Sequence, residues 1–346
     1  MLVRNLFYKL LKCKVMQINE TIGIDVDKLN LVVRVHTTQL ENVFGNNLNG
    51  FKQFDKWIKQ EVKLPKENIL IAFEHTGLYS LQLSVFLKEQ QYLYAVLSGL
   101  ELKKSLGIKR GKTDKIDAKN IALYAYRCKE EIKPYQLAEE SLLKLKRLIT
   151  LRDRLVKQRR GYKTSLKEIK KILTRAEDNV LFETYETMIK CLNKQINKVD
   201  EAMMQTINSD EELSRIYSLI TSIRGVGFVT SALMIAVTDG FRRFHNSRKF
   251  ATYSGIAPFP YQSGTSIKGK TKVSQLANKK LKSILSLCAI SAIRYNRELK
   301  AFYLKKISEG KGKRSVINII RNKIVARIFA VIRRGTPYVD IYKYAA

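Results

Sequence analysis

Two short apolar runs in this chain each end on a carboxylate. Thr21-Ile22-Gly23-Ile24 runs into Asp25, and Ile69-Leu70-Ile71-Ala72-Phe73 runs into Glu74. Runs of this length read as strands buried in a sheet. In α/β sheets, ligands bind beyond the carboxyl ends of the strands. A third stretch, Thr113-Asp114-Lys115-Ile116-Asp117-Ala118-Lys119, adds two more acids. Their spacing puts Asp114 and Asp117 on one face of a helix. Arg110, Lys112, Lys115 and Lys119 surround them. A lone pair of this kind is ordinarily a solvated, salt-bridged helix start. Four acids arriving from two strand ends and one helix have the chemistry to hold a divalent metal against phosphate oxygens.

The charge of the whole chain points to the same partner. Its 346 residues carry 64 Lys and Arg against 31 Asp and Glu, a net charge of +33. Such a surplus selects a polyanion, nucleic acid above all. A ribosomal or chromatin-type binder would share the charge but has no need of acids at strand ends. The length suits two or three domains, and a 45% hydrophobic content supplies their cores. Cys13, Cys128, Cys191 and Cys288 make no CxxC pair, and His36, His75 and His245 make no ligand pattern with them. A zinc site is therefore not expected, and scattered reduced thiols suit the cytoplasm. No apolar run reaches the roughly 18 residues of a membrane span.

Residues 1–16 form a basic, apolar extension to which no function is assigned. Lys9, Lys12 and Lys14 interrupt it, and no small-residue cleavage site follows. Residues 17–130 alternate strands and helices. Strand patterns cover 22–25, 31–35 and 92–97. The stripe Phe51, Phe54, Trp57, Ile58 and Val62, and the segment 78–88, read as helices. This alternation predicts an α/β domain with a largely parallel sheet. The basic, glycine-punctuated loop before Asp114 reads equally as a solvated loop or as a source of phosphate contacts, with Arg110 and Lys112 as the candidates. Residues 137–205 predict a long helical hairpin or coiled-coil linker. Its apolar face is Leu142, Leu145, Leu148, Ile149, Leu151 and Leu155, continued by Leu166, Ile169, Ile172 and Leu173. From Ser141 to Arg175 there are 13 basic residues against 2 acidic ones. A charge run is ordinarily a solvated face, and the apolar stripe could carry subunit contacts, but so one-sided an excess suits a nucleic-acid backbone, with Arg152, Arg159 and Arg160 as candidate contacts.

Residues 210–346 predict a mainly helical C-terminal domain. It opens on Arg224-Gly225-Val226-Gly227. A Gly-x-Gly turn between helices lets backbone amides approach a phosphate, as in helix-hairpin-helix modules, although tight helix packing favours glycine too. Between Phe241 and Arg297 there is no Asp or Glu, against 12 Lys and Arg. Lys268, Lys270, Lys272, Lys279, Lys280 and Lys282 are the candidate phosphate contacts there. Ser263 precedes Gly264 in what reads as a turn, and such a serine is ordinarily structural.

Taken in order, these motifs resemble the insertion-sequence one-ten family of transposases. The match runs from about Ile22 to about Tyr338. It comprises Gly23-Ile24-Asp25, Glu74-His75-Thr76-Gly77, Thr113-Asp114 with Asp117-Ala118, Gly225-Val226-Gly227 and Gln262-Ser263-Gly264. The resemblance implies a RuvC-like (RNase H fold) domain whose first three strands form an antiparallel meander. It implies a DEDD metal set of Asp25, Glu74, Asp114 and Asp117 for Mg²⁺ or Mn²⁺, and a nucleophilic serine at Ser263, with Thr265 and Ser266 as neighbouring hydroxyls. It further implies donor and target DNA as substrates, a structured bridge RNA as guide, a homodimer or tetramer, and a nucleoid-associated, cytoplasmic enzyme of a prokaryote. Two positions depart from the family pattern: Ala277 replaces a glycine and Lys282 an arginine. The second keeps positive charge but loses a bidentate fork.

Two other readings compete. A metal-dependent structure-specific nuclease, resembling a Holliday-junction resolvase, would use the four acids with water as nucleophile and leave Ser263 structural. A non-catalytic nucleic-acid-binding protein would need neither. Substitution of Asp25 or Glu74 separates the last from the others, and substitution of Ser263 separates the first two.

Overall fold

A computed structural model describes residues 17–105, 107, 113–244, 246–263, 267–274 and 277–340. The N-terminal extension, Arg110, Lys112, His245, Thr265 and Ser266 lie outside the described residues. The chain divides between Leu137 and Ala138 into two compact units.

The first unit is built on a five-stranded sheet. In chain order it comprises β1 (Glu20–Val26), β2 (Asn30–Val35), β3 (Glu41–Gly45), α1 (Leu48–Glu61), β4 (Ile69–Glu74), α2 (Tyr79–Glu89), β5 (Leu93–Leu97), α3 (Gly99–Ser105) and α4 (Asp114–Arg127). The strand order is β3-β2-β1-β4-β5. β1 pairs antiparallel with β2 and β2 with β3, whereas β1–β4 and β4–β5 are parallel. The sheet is thus mixed rather than largely parallel. Only Asp27, Lys28 and Leu29 separate β1 from β2, and a parallel return needs a crossover of about a dozen residues or more. β3 leaves little mark in the sequence because only Phe44 of it is buried.

The two faces of the sheet are covered by different helices. Ile22, Ile24, Ile71 and Phe73 pack with Phe51, Phe54 and Ile58 of α1 and with Leu83 and Leu87 of α2. Leu70, Ala72, Ala95 and Leu97 pack with Ile121 and Ala125 of α4 on the other side. The period of two along each strand therefore assigns every side chain to one helix layer or the other.

The second unit is mainly helical. It contains α5 (Glu140–Ile169), α6 (Asn179–Asn208), α7 (Glu211–Thr221), α8 (Phe228–Thr238), α9 (Ser247–Tyr253), β6 (Pro258–Ser263), β7 (Ile267–Val273), α10 (Lys279–Tyr295), α11 (Arg297–Ser308) and α12 (Lys313–Arg334). α5 and α6 run antiparallel, because Arg152 pairs with Asp200, Arg159 with Asn193 and Lys170 with Glu186. Leu142, Leu145 and Ile149 share one core with Met203, Ile207, Ile220, Leu285, Ile324 and Ile328. The base of the hairpin is therefore part of the C-terminal core. Its predicted stripe ends early: α5 stops at Ile169, and Ile172 is 81% exposed. The β6–β7 hairpin interrupts the expected run of helices. The alternation Ile267-Lys268-Gly269-Lys270-Thr271-Lys272-Val273 is the sequence signal for it.

Candidate active site

Register brings Asp25 and Glu74 to the same end of the sheet. In the parallel pairing of β1 and β4, Ile24 lies opposite Phe73. Asp25 and Glu74 are each the next residue, so they stand on neighbouring strands at corresponding carboxyl ends. They also share a face. Ile24 and Phe73 point into the layer of α1 and α2, so the residues that follow them point toward α4. Both acids are half-buried.

α4 carries the other two acids to that end. Thr21 Oγ1, near the start of β1, donates to the carbonyl oxygen of Ala122 at 3.0 Å. Two residues later along β1, Gly23 lies against both Ala122 and Ala118. His36, whose amide bonds Thr21 O, stacks on Tyr126 near the helix's far end. α4 therefore runs antiparallel to β1, and its N-terminus is directed toward the Asp25 end. That N-terminus begins at Asp114, is capped by Thr113, whose hydroxyl accepts from Ile116 N, and has Asp117 in its first turn. Asp114 is exposed and Asp117 half-buried. Acids there complement the unsatisfied amides and dipole of the helix.

Sequence reasoning missed one element of this end. The side chain of Glu74 lies against Gly99, the first residue of α3: a Cβ at Gly99 would sit 1.9 Å from Glu74 Oε1. The signal available was a glycine two residues past the end of β5. His75 is exposed, and its Nδ1 accepts the Gly77 amide at 3.3 Å. Lys115 turns away from the acids to Glu41 at 3.6 Å. An all-carboxylate donor set suits a hard divalent cation. Among the described residues, however, no three His, Cys, Asp or Glu side chains are gathered closely enough to hold a metal. The fold delivers the four acids to one end of one sheet without drawing them into a closed ligand shell.

The candidate nucleic-acid contacts fall into occupied and open groups. Arg152 is committed to Asp200, with Nε 2.5 Å from Oδ1 and Nη2 3.2 Å from Oδ2. Arg159 donates to Asn193 Oδ1 at 2.8 Å, and Lys280 pairs with Asp153. Arg224 lies 4.0 Å from Asp340 and donates to Tyr295 O at 3.4 Å. These four brace the fold as well as adding charge. Arg160 is exposed, and with Arg159, Lys163 and Lys167 of α5 and Lys171 just beyond it lines an open groove of about 580 Å³. Lys279 is exposed and Lys282 half-buried in the first turns of α10. Gly225 has φ +95°, and a Cβ there would meet Ala292 at 2.8 Å, so its role is close packing on α10. Gly227 has open space around it and caps α8.

Ser263 is the last residue of β6, opposite Ile267 in the antiparallel register. Lys268, Lys270 and Lys272 follow along β7. The root of this hairpin is closed tightly. Asn278 N donates to Tyr253 O at 3.1 Å. Gly255, at φ +67°, lies so near Ala277 that a Cβ there would be 2.2 Å from the Ala277 Cβ. Ala277, the residue that departs from the family glycine, is thus a packing partner at the hairpin root.

Comparison with known proteins agrees over both units. A DEDD-type transposase profile of the IS110 group matches residues 22–175, and a profile described as transposase, IS116/IS110/IS902 family, matches residues 217–304. A pilin gene-inverting protein of Moraxella bovis is 30% identical over 326 residues, covering 92% of this chain and 97% of the relative. Its counterpart from Moraxella lacunata is 29% identical with the same coverage. A transposase for insertion sequence element IS1111A of Coxiella burnetii is 26% identical over 67% of this chain and 69% of its own length.

Proposed function

This chain belongs to the IS116/IS110/IS902 family of transposases, enzymes that cut and rejoin DNA, and from that premise we propose that it is a bridge-RNA-guided recombinase in which four carboxylates and one serine share the chemistry. The observation that carries the metal half of the reading is the convergence of Asp25, Glu74 and the acid-bearing start of α4 on one end of one sheet. The strand order and the antiparallel β1–β2–β3 meander support a RuvC-like reading of the first unit. The relatives' names, transposase and gene-inverting protein, support a reaction that cuts and rejoins DNA.

Asp25, Glu74, Asp114 and Asp117 would hold Mg²⁺ or Mn²⁺. A bound divalent ion supplies neutralising charge for the phosphate and makes a hydroxyl more acidic. Ser263 would attack the scissile phosphate, forming a phosphoserine bond while the 3′ or 5′ oxygen of the cut strand leaves. Attack by the partner strand's hydroxyl would then break that bond, release the serine and reseal the DNA. The basic face of α5, open at Arg160, Lys163 and Lys167, with Lys171 just beyond it, is the surface we assign to structured RNA.

Asp114→Asn and Asp117→Asn test the acids. Each should abolish cleavage while the circular dichroism melt stays within about 1 kcal/mol of wild type, since surface changes of this kind are nearly neutral to folding. Full activity in EDTA would remove the metal. Equal recombination after RNase treatment would remove the guide.

A further inference from the structure

One exposed arginine of the second unit rests on a shelf of aromatic rings. The Arg243 guanidinium lies 5.3 Å from the centroid of the Phe244 ring and 5.0 Å from that of Tyr253. The two rings are 5.2 Å apart and tilted by 46°. Three nearly equal distances put both rings to one side of the guanidinium and leave its other side open. Arg243 is exposed, so a ligand can reach it. Among the described residues, no other cation lies over two rings. The adjacent Arg242 is instead tied to Glu139 at 3.1 Å. A stacked guanidinium has its N–H edge free for a ligand and less freedom to lose on binding.

The turn that carries Arg243 is held against backbone preference. Asp239, Gly240 and Phe241 follow α8 with φ of +58°, +61° and +64°. Glycine accepts that region and aspartate tolerates it, but a bulky aromatic residue rarely enters it. Neighbours fix the turn. Lys146 Nζ lies 2.6 Å from Asp239 Oδ1, and the Phe241 amide donates to Thr238 Oγ1 at 3.0 Å. The Phe241 ring packs edge-on against Phe329 at 5.2 Å. The Arg243 amide donates to Thr238 O at 2.9 Å. Strain of this kind persists where surrounding contacts over-determine it, and it gathers at sites of function.

The surroundings say what is bound. Residues 241–297 contain no acid, so the patch selects an anion. Lys249, also exposed, precedes Tyr253 by four residues on α9 and so shares its side of the helix. Tyr253 O accepts the Asn278 amide at 3.1 Å, which joins the shelf to the root of the hairpin that carries Ser263. We propose that Arg243, on its shelf of Phe244 and Tyr253, binds a DNA phosphodiester beside the root of the β6–β7 hairpin, with Lys249 as a second cation on the same backbone. The proposal rests on the reading that this hairpin engages DNA. A planar fork can hold two phosphate oxygens at once.

The test is a salt titration of a short labelled DNA duplex bound to the full chain freed of RNA. Arg243→Gln should lower the magnitude of the slope of log K against log salt by about 0.9, the value of one phosphate contact. An unchanged slope overturns the proposal. Arg243→Lys keeps the charge and should keep the slope, but it loses the stacked fork and should bind about two- to fivefold more weakly. Wild-type affinity in Arg243→Lys overturns the part given to the shelf. Neither change to an exposed side chain should move the melting temperature. Should a variant fail to fold, the wild-type protein answers instead: phenylglyoxal modification of Arg243, mapped by mass spectrometry, should fall when duplex is present. Equal modification with and without duplex overturns the proposal, and so does protection by an RNA hairpin but not by DNA. Failure of the underlying reading looks different. A wild-type chain that binds no duplex removes DNA from the hairpin and the proposal with it, whereas wild-type binding with an unchanged slope in Arg243→Gln removes Arg243 alone.

Discussion

Gly23 of β1 lies under Ala118 of α4 so closely that a Cβ on Gly23 would sit 2.2 Å from the Ala118 carbonyl oxygen, and 2.3 Å from the amide nitrogen of Ala122. Both neighbours are backbone, so neither can swing aside. The glycine therefore sets the distance between the strand that carries Asp25 and the helix that begins at Asp114. Gly23→Ala should lift α4 from the sheet. Overpacking of this kind costs about 1–3 kcal/mol, visible as a lower urea midpoint. Cleavage should fall further than stability does, because the lift separates Asp114 and Asp117 from Asp25 and Glu74. A variant that is destabilised yet cleaves normally once folded would deny the helix its positioning role.

Gly99 makes the opposite case. The atom its Cβ would meet, at 1.9 Å, is Glu74 Oε1, the end of a flexible side chain. Gly99→Ala should leave the melting temperature nearly unchanged and displace the carboxylate. A shift of about 1 Å in a reacting group costs about 10²-fold in rate, so single-turnover cleavage should drop by about that factor. Cleavage at the wild-type rate would mean that Glu74 does not act from this side chain position.

The acids were legible in the sequence because strand ends and helix starts leave local marks: an apolar run that stops on Asp25 or Glu74, and a Thr113 cap before Asp114. Their common end of the sheet was not legible. It depends on the Ile24–Phe73 register and on the direction of α4, both set by packing between distant segments. Composition likewise revealed the basic face of α5 but could not tell its committed cations from its open ones. Asp200 is 48 residues from Arg152, and no periodicity links them. The hairpin after Ile256 leaves only a short alternation along β7, lysines interleaved with Gly269 and Thr271, a weaker mark than an apolar strand run.

That division among the cations of α5 leads to a paired prediction. Arg152→Ala breaks a two-bond contact with Asp200 in a partly sheltered site, and should cost about 1–2 kcal/mol of stability. Arg160→Glu replaces an exposed positive charge with a negative one. It should leave the melt unchanged while weakening RNA binding and lowering the salt slope by about 0.7 for each phosphate that is no longer neutralised. Equilibrium unfolding and filter binding on the two proteins separate the effects. Weaker RNA binding in Arg152→Ala alone, at wild-type stability, would reverse the assignment.

Ser263→Ala tests the nucleophile. The serine ends β6 in a stretch of 12 basic residues without an acid, and its match to the family motif is the reason it is proposed for the role. Removing one neutral hydroxyl changes no charge, and a neutral hydrogen bond contributes only about 0.5–1.5 kcal/mol. DNA and RNA affinities should therefore stay within about tenfold of wild type. Strand cleavage should fall by orders of magnitude, because no covalent phosphoserine forms. Thr265→Val and Ser266→Ala should be milder, since those hydroxyls are assigned to positioning. Denaturing a reaction stalled on nicked DNA should leave protein attached to a DNA end, with the link at Ser263 by peptide mapping. If Ser263→Ala still cuts and joins at the wild-type rate, water activated at the four acids becomes the nucleophile, and the chain works as a resolvase-like nuclease.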